Sequence, residues 1–197
     1  MATGFVPRGI IPAMVTPFTE GDEINEASLR KLTNYLIEGG VHGLFAVGSQ
    51  GEFWAMDPEE KRQVIEVVVD ETQGRVPVYA GTGATTTREA VALTRMAEKA
   101  GADAVSAITP FFVSPLQQEL IDYYRAIAEA TVLPVLLYNN PGRTGVNLTV
   151  DTVVKLAEIG NIVGIKDSSG DLQLTAEYIR RTPDDFHVLM GRDTLIY

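Results

Sequence analysis

The sequence predicts an α/β fold, a (β/α)8 TIM barrel, on three observations. Seven short apolar runs alternate strictly with six helical patterns, with strand starts roughly 24 to 34 residues apart, the length of a βα unit. The runs are continuously apolar rather than alternating, as in a parallel sheet covered on both faces. The residues just past most runs are polar or conformationally special, and in a barrel of this type they gather at the carboxyl-terminal mouth.

The runs are GIIPAMV (9–15), GLFAV (43–47), VPVYAG (76–81), ADAVSAI (102–108), LPVLLY (133–138), NIVGIK (161–166) and FHVLMG (186–191). Between them, Asn25 caps a helix carrying Leu29, Leu32 and Leu36 that Gly39-Gly40 ends. Asp57-Pro58-Glu59-Glu60 places a cap, a first-turn proline and two acids ahead of Val64, Ile65 and Val68. Thr86 and Glu89 form a capping box for a helix that reaches Gly101. Ser114-Pro115 opens a fourth helix with Leu120, Tyr124, Ile127 and Ala128. Thr149 opens a fifth with Val153, Val154 and Leu156, and Asp171 a sixth with Leu174 and Tyr178. An open doubly wound sheet also fits the alternation, but GTGATT (81–86) lacks the third glycine of a dinucleotide fingerprint and reads as a tight strand-to-helix turn.

No linker or change of composition divides the chain, so residues 1–197 are expected to form one barrel domain. Seven of the eight βα units are accounted for. The eighth strand and its helix are expected in a longer protein, because an unclosed barrel sheet exposes its edges.

The apolar fraction of 45% is ample for a core, and the net charge of −10 argues against nucleic acid, whose phosphates are held by Lys and Arg. There is no cysteine, hence no disulfide, thiolate zinc site or cysteine nucleophile. His42 and His187 lack ligand spacing and read as structural, so no metal is expected. No segment approaches the ~18 apolar residues of a membrane span, and no signal-peptide pattern stands at the amino terminus. A cytoplasmic chain that engages neither membrane nor nucleic acid is expected.

The chemistry centres on Lys166, at the end of the apolar strand IVGIK. Desolvation there disfavours the ammonium and frees the amine to attack a ketone carbonyl. Tyr138 ends the preceding strand and is expected beside Lys166, where its phenol can move the protons that imine formation requires. Asn140-Pro141-Gly142-Arg143-Thr144-Gly145 is a rigid turn presenting Arg143, either as a bidentate carboxylate binder or as one half of a surface ion pair. The loop Gly48-Ser49-Gln50-Gly51-Glu52 offers backbone N–H groups to an anion, and Glu52 reads as a structural hydrogen-bonding partner. Phe112 and Gly191, past two further strands, are expected to line the site.

These residues sit in GIIPAMVTPF (9–18), GSQGE (48–52), AGTGATTTREA (80–90), AGAD (100–103), ITPFF (108–112), YNNPGRTGVNL (138–148) and GIKDSSGD (164–171). Together these motifs resemble the dihydrodipicolinate synthase / N-acetylneuraminate lyase family of pyruvate-dependent class I aldolases. The resemblance implies a (β/α)8 barrel with a carboxyl-terminal helical extension, usually a homotetramer. It implies that Lys166 forms an imine with pyruvate or a 2-keto acid, that Tyr138 shuttles protons, and that the backbone at Ser49 and Gln50 holds the keto acid's carboxylate. Arg143 then stands where synthases bind the second substrate's carboxylate. No cofactor is implied, only the covalent lysine imine.

The chain departs from the family pattern at two places. Synthases carry Thr-Thr, and lyases Ser-Thr, where this chain has Ser49-Gln50. Synthases also place a tyrosine that reaches across the subunit interface where Phe112 stands, and phenylalanine cannot carry a proton. The expected activity is therefore that of a Schiff-base lyase acting on pyruvate or a 2-keto acid, of the 2-keto-3-deoxy sugar acid aldolase or dehydratase type. The alternatives are 4-hydroxy-tetrahydrodipicolinate (dihydrodipicolinate) synthase, condensing pyruvate with aspartate semialdehyde, and a non-catalytic keto-acid-binding paralogue.

Overall fold

A computed structural model of the chain describes residues 4–196. Six strands are found among them: β1 (Leu44–Ala46), β2 (Val78–Gly81), β3 (Ala104–Ile108), β4 (Val135–Asn139), β5 (Ile162–Asp167) and β6 (His187–Met190), hydrogen-bonded in chain order. Seven helices accompany them: α1 (Glu26–Glu38), α2 (Pro58–Thr72), α3 (Thr87–Lys99), α4 (Gln117–Glu129), α5 (Pro141–Thr144), α6 (Val150–Leu156) and α7 (Leu172–Arg181). The architecture is TIM-barrel-like, a parallel α/β fold.

The prediction of seven βα units is corrected to six strands among the described residues. Residues 9–15 run alongside β1 without becoming a strand. They make a single parallel bridge, Ala13 to Phe45, with the Met14 amide bonding the Phe45 carbonyl and the Phe45 amide bonding that of Pro12. Proline has no N–H to donate, so the ladder breaks there. The helix predicted to open at Ser114-Pro115 begins instead at Gln117. Its N-cap is Leu116, whose side chain makes no cap, and the Glu119 carboxylate accepts the Leu116 amide at 2.7 Å.

The other starts agree with the sequence. Asn25, Thr149 and Asp171 accept backbone amides at the starts of α1, α6 and α7. Asp57 forms a reciprocal capping box with Glu60 on α2, and Thr86 accepts the Glu89 amide ahead of α3. Each satisfies amides that the first turn leaves orphaned, which stabilises a helix by about 1 kcal/mol.

The chain divides into two compact units. One holds Arg8–Thr82 and Arg95–Val105. In it β1 lies parallel to β2, with Leu44, Phe45 and Ala46 opposite Val78, Tyr79 and Ala80, all buried as the unbroken apolar runs require. Gly81 is obligatory in this unit, because a Cβ there would stand 2.0 Å from the Val47 carbonyl oxygen.

The other unit holds Gly83–Thr94 and the chain from Ser106, with residues 4–7. Its β4, β5 and β6 are parallel, with Ile165, Lys166 and Asp167 opposite Val188, Leu189 and Met190. On its helices, Leu120, Tyr124, Ile127 and Ala128 of α4, Val153 and Leu156 of α6, and Tyr178 of α7 are buried. The carboxyl end of β3 is pinned by two phenols. Tyr124 donates to the Ala107 carbonyl, and Tyr123 stands against those of Ala84 and Ile108.

Candidate active site

Lys166 is the penultimate residue of β5, and its register partner on β4 is Tyr138. In a parallel ladder, partners in register project to the same face, so the two side chains stand together. The Lys166 Nζ lies 4.5 Å from the centroid of the Tyr138 ring. The lysine is half-buried and the tyrosine buried. Burial lowers the lysine pKa below its ordinary 10.5, and the Tyr138 hydroxyl partly opposes that shift. A desolvated amine beside a phenol combines a nucleophile with a proton carrier.

The phenol is held by the turn that follows it. Asn140 donates from Nδ2 to the Tyr138 hydroxyl at 3.0 Å. Residues 141–144 wind into the single-turn helix α5, with Pro141 at its first position and Gly145 in the left-handed conformation at its end. Thr144 is buried. Its Oγ1 accepts from Thr109 at 3.0 Å and from the Val146 amide at 3.1 Å, and contacts the Asn140 carbonyl at 3.2 Å. These bonds tie the turn to the end of β3. Arg143 projects from α5, exposed, and forms no ion pair among the described residues. The surface-pair reading of Arg143 therefore finds no partner.

Phe112 and Gly191 belong to the same unit. Phe112 is 98% exposed, with φ of 71° in the left-handed region that bulky residues rarely adopt. Gly191 follows β6 and donates its amide to the Asp167 carbonyl at 2.7 Å. A Cβ there would meet the Ser168 hydroxyl at 2.0 Å and the Asp167 carbonyl oxygen at 3.0 Å, so a larger residue would have to turn the Ser168 side chain away.

Ser49 and Gln50 lie in the other unit, on the loop that leaves β1. Val47, β-branched and buried, has φ of 57° and introduces the loop under backbone strain of about 1–3 kcal/mol. The Gly51 amide closes on the Gly48 carbonyl, and Thr16 donates to the Gly51 carbonyl at 2.7 Å. Among the described residues the amides of Ser49 and Gln50 have no acceptor, as an anion-binding loop requires. The Glu52 side chain is exposed, without the hydrogen-bonding role expected of it among the described residues. The His42 Nδ1 accepts the Ile10 amide at 3.1 Å, a structural role, and no group of residues able to hold a metal occurs among the described residues.

Asn140, Thr109 and Thr144 escape a reading of the sequence. Their importance lies in hydroxyl and amide contacts between a loop and a strand end, which carry no periodicity.

Residues 6–197 match the model of the dihydrodipicolinate synthetase family. The 4-hydroxy-tetrahydrodipicolinate synthase of Methanopyrus kandleri is 47% identical over 194 residues, 98% of this chain and 65% of that protein. The enzyme of the same name from Desulforudis audaxviator is 45% identical over 94% of this chain and 63% of its own length. The chain thus spans just under two thirds of these relatives. Among solved structures, the dihydrodipicolinate synthase DapA-2 of Bacillus anthracis superimposes with a TM-score of 0.95 at 44% identity, covering 97% of this chain and 66% of that one. The prophage protein YagE of Escherichia coli K12, solved with pyruvate, gives 0.91 at 38% identity over 94% of this chain and 63% of its own. On the family match, these identities and a fold shared over nearly its full length, the chain belongs to the dihydrodipicolinate synthetase family.

Proposed function

We propose that the chain carries the Schiff-base chemistry of a pyruvate-dependent class I aldolase and that its reaction is the condensation of pyruvate with aspartate semialdehyde. The observation that carries the chemistry is the Lys166–Tyr138 pair, a desolvated amine 4.5 Å from a phenol ring. The Lys166 amine attacks the ketone carbon of pyruvate, and Tyr138 passes protons to and from the carbinolamine oxygen as water leaves. As water leaves, Tyr138 is left a phenolate, which takes the C3 proton of the protonated imine to give an enamine. The enamine adds to the aldehyde carbon, and the aldehyde oxygen takes that proton back. Attack of the product's own amine on the imine carbon then releases Lys166. No metal or organic cofactor takes part. Arg143, exposed and without an ion-pair partner among the described residues, binds the second substrate's carboxylate through its planar fork. The Ser49 and Gln50 amides serve as hydrogen-bond donors to an anion.

The choice of aspartate semialdehyde rests on the relatives, which bear the name 4-hydroxy-tetrahydrodipicolinate synthase at 44 to 47% identity. A second reading, a 2-keto-3-deoxy sugar acid aldolase or dehydratase, is favoured by Phe112 and Gln50, which depart from the synthase pattern. Borohydride trapping with pyruvate should add the mass of the reduced adduct at Lys166, and no adduct, or one that persists in Lys166→Ala, defeats the imine. A coupled assay with aspartate semialdehyde then separates the two reactions. Ring-product formation, rising in Phe112→Tyr, supports the synthase. Cleavage of a 2-keto-3-deoxy sugar acid in its place supports the second reading.

A further inference from the structure

Asp167 follows Lys166 on β5 and points to the opposite face of the sheet. It is the one fully buried carboxylate among the described residues, and the imine chemistry does not use it. Its oxygens accept from the Ser169 amide at 3.0 Å, the Ser169 hydroxyl at 3.0 Å, Asn139 Nδ2 at 3.2 Å and the Thr175 hydroxyl at 2.6 Å. Asn139 is its register partner on β4, and Thr175 comes from α7. Asn139 is bound in turn, its Oδ1 accepting the Leu148 amide at 3.0 Å and its Nδ2 reaching Asn147 at 2.8 Å. Burying a carboxylate is costly unless its oxygens are hydrogen-bonded, and in some proteins such a group fixes one arrangement over its alternatives.

What there is to specify is the register. β4 and β5 begin paired at Val135 and Ile162, but the ladder then shifts, so that Leu136 pairs with Gly164. Val163 is passed over at this shift and has no register partner on β4. Without that shift, Tyr138 would fall opposite Ile165, and Lys166 opposite Asn139. A one-residue slip turns every side chain beyond it to the other face. Tyr138 and Lys166 would then point away from each other. The Asn139–Asp167 hydrogen bond forms only in the shifted register, one residue beyond the reactive pair.

We propose that Asp167 is a positioning residue: gripped by Asn139 and Thr175, its carboxylate holds β4 and β5 in the shifted register that sets Tyr138 against Lys166. The inference rests on the imine reading above. Among the described residues, Tyr138 from β4 is a titratable group that faces the Lys166 amine, and Leu189 stands opposite Lys166 on β6.

The test is the pH profile of borohydride trapping with pyruvate on the full chain, read by mass spectrometry. Asp167→Ala should slow trapping at neutral pH by about tenfold and move its midpoint upward, toward the ordinary lysine value, as the amine loses its dry site. Asp167→Asn keeps the shape and the acceptor for Asn139, and should restore the unsubstituted profile. Thr175→Val removes one donor without changing shape, should move the midpoint in the same upward direction, and decides the matter if the alanine variant does not fold. An unchanged or lowered midpoint in a folded Asp167→Ala or Thr175→Val chain overturns the positioning role, as does an asparagine variant as impaired as the alanine one. No adduct at any pH in the unsubstituted chain removes the imine reading and the inference together. An adduct with an unmoved profile removes the inference alone.

Discussion

Lys166 and Tyr138 are each unremarkable as single residues, and in the chemistry proposed above it is their pairing, 4.5 Å from amine to ring, that lowers the barrier to imine formation. Tyr138→Phe keeps the ring against the amine and removes only the phenol. Trapping at Lys166 should fall by about 100-fold or more, the scale of general acid–base assistance, in single-turnover measurements. The loss of the Asn140 hydrogen bond should cost only about 1 kcal/mol of stability. Both residues were legible in the sequence as strand-end groups on neighbouring parallel strands, but what brings them level is the register shift between β4 and β5. The contacts that hold them were not legible. Asn140 and Thr144 act through bonds set by the path of α5, and nothing in their spacing announces it. Nor does the sequence reveal that Phe112 stands fully exposed in a left-handed conformation.

At the scale of elements, the strands were read from apolar runs and the helices from their caps, and both signals are local. Asn25, Asp57, Thr149 and Asp171 bond amides two or three residues away, so their role is written in short-range sequence. The misreadings have the same origin. Ser114-Pro115 carries the composition of a helix start, yet the chain turns for two more residues before α4, because Glu119 supplies the cap from inside the helix. Residues 9–15 carry the composition of a strand, but Pro12 interrupts the ladder. Gly164 shows what strand packing demands of a single position: a Cβ there would sit 2.3 Å from the His187 carbonyl oxygen. Gly164→Ala must push β6 away from β5, at a cost of about 1–3 kcal/mol, which urea denaturation should detect. A stability unchanged within error would mean that the two strands separate freely.

For the molecule as a whole, buried phenols set an alkaline limit. Tyr79 in one unit has its pKa pushed up to about 12 by burial, with Asp103 adding to the shift. Tyr123 and Tyr178 in the other are raised further and Tyr124 well above its ordinary value, again chiefly by burial. In the unfolded chain a phenol ionises near 10. The folded chain therefore holds protons that the unfolded chain releases, and the stability these groups contribute is complete below pH 10 and is lost as pH rises through and beyond 12. Tyrosinate absorbance should appear together with loss of circular dichroism on alkaline titration. Smooth ionisation of all seven tyrosines near pH 10 in a folded chain would contradict it. The sequence by itself determined the parallel α/β fold, the family and the strand-end positions of Lys166 and Tyr138, because apolar runs, caps and strand-end residues act over a few positions. Only the tertiary structure decided the six strands among the described residues, the register shift between β4 and β5 that sets Tyr138 opposite Lys166, and the buried Asn139–Asp167 bond. Each of these depends on how two distant segments slide against one another, and a single strand's pattern is the same in either register.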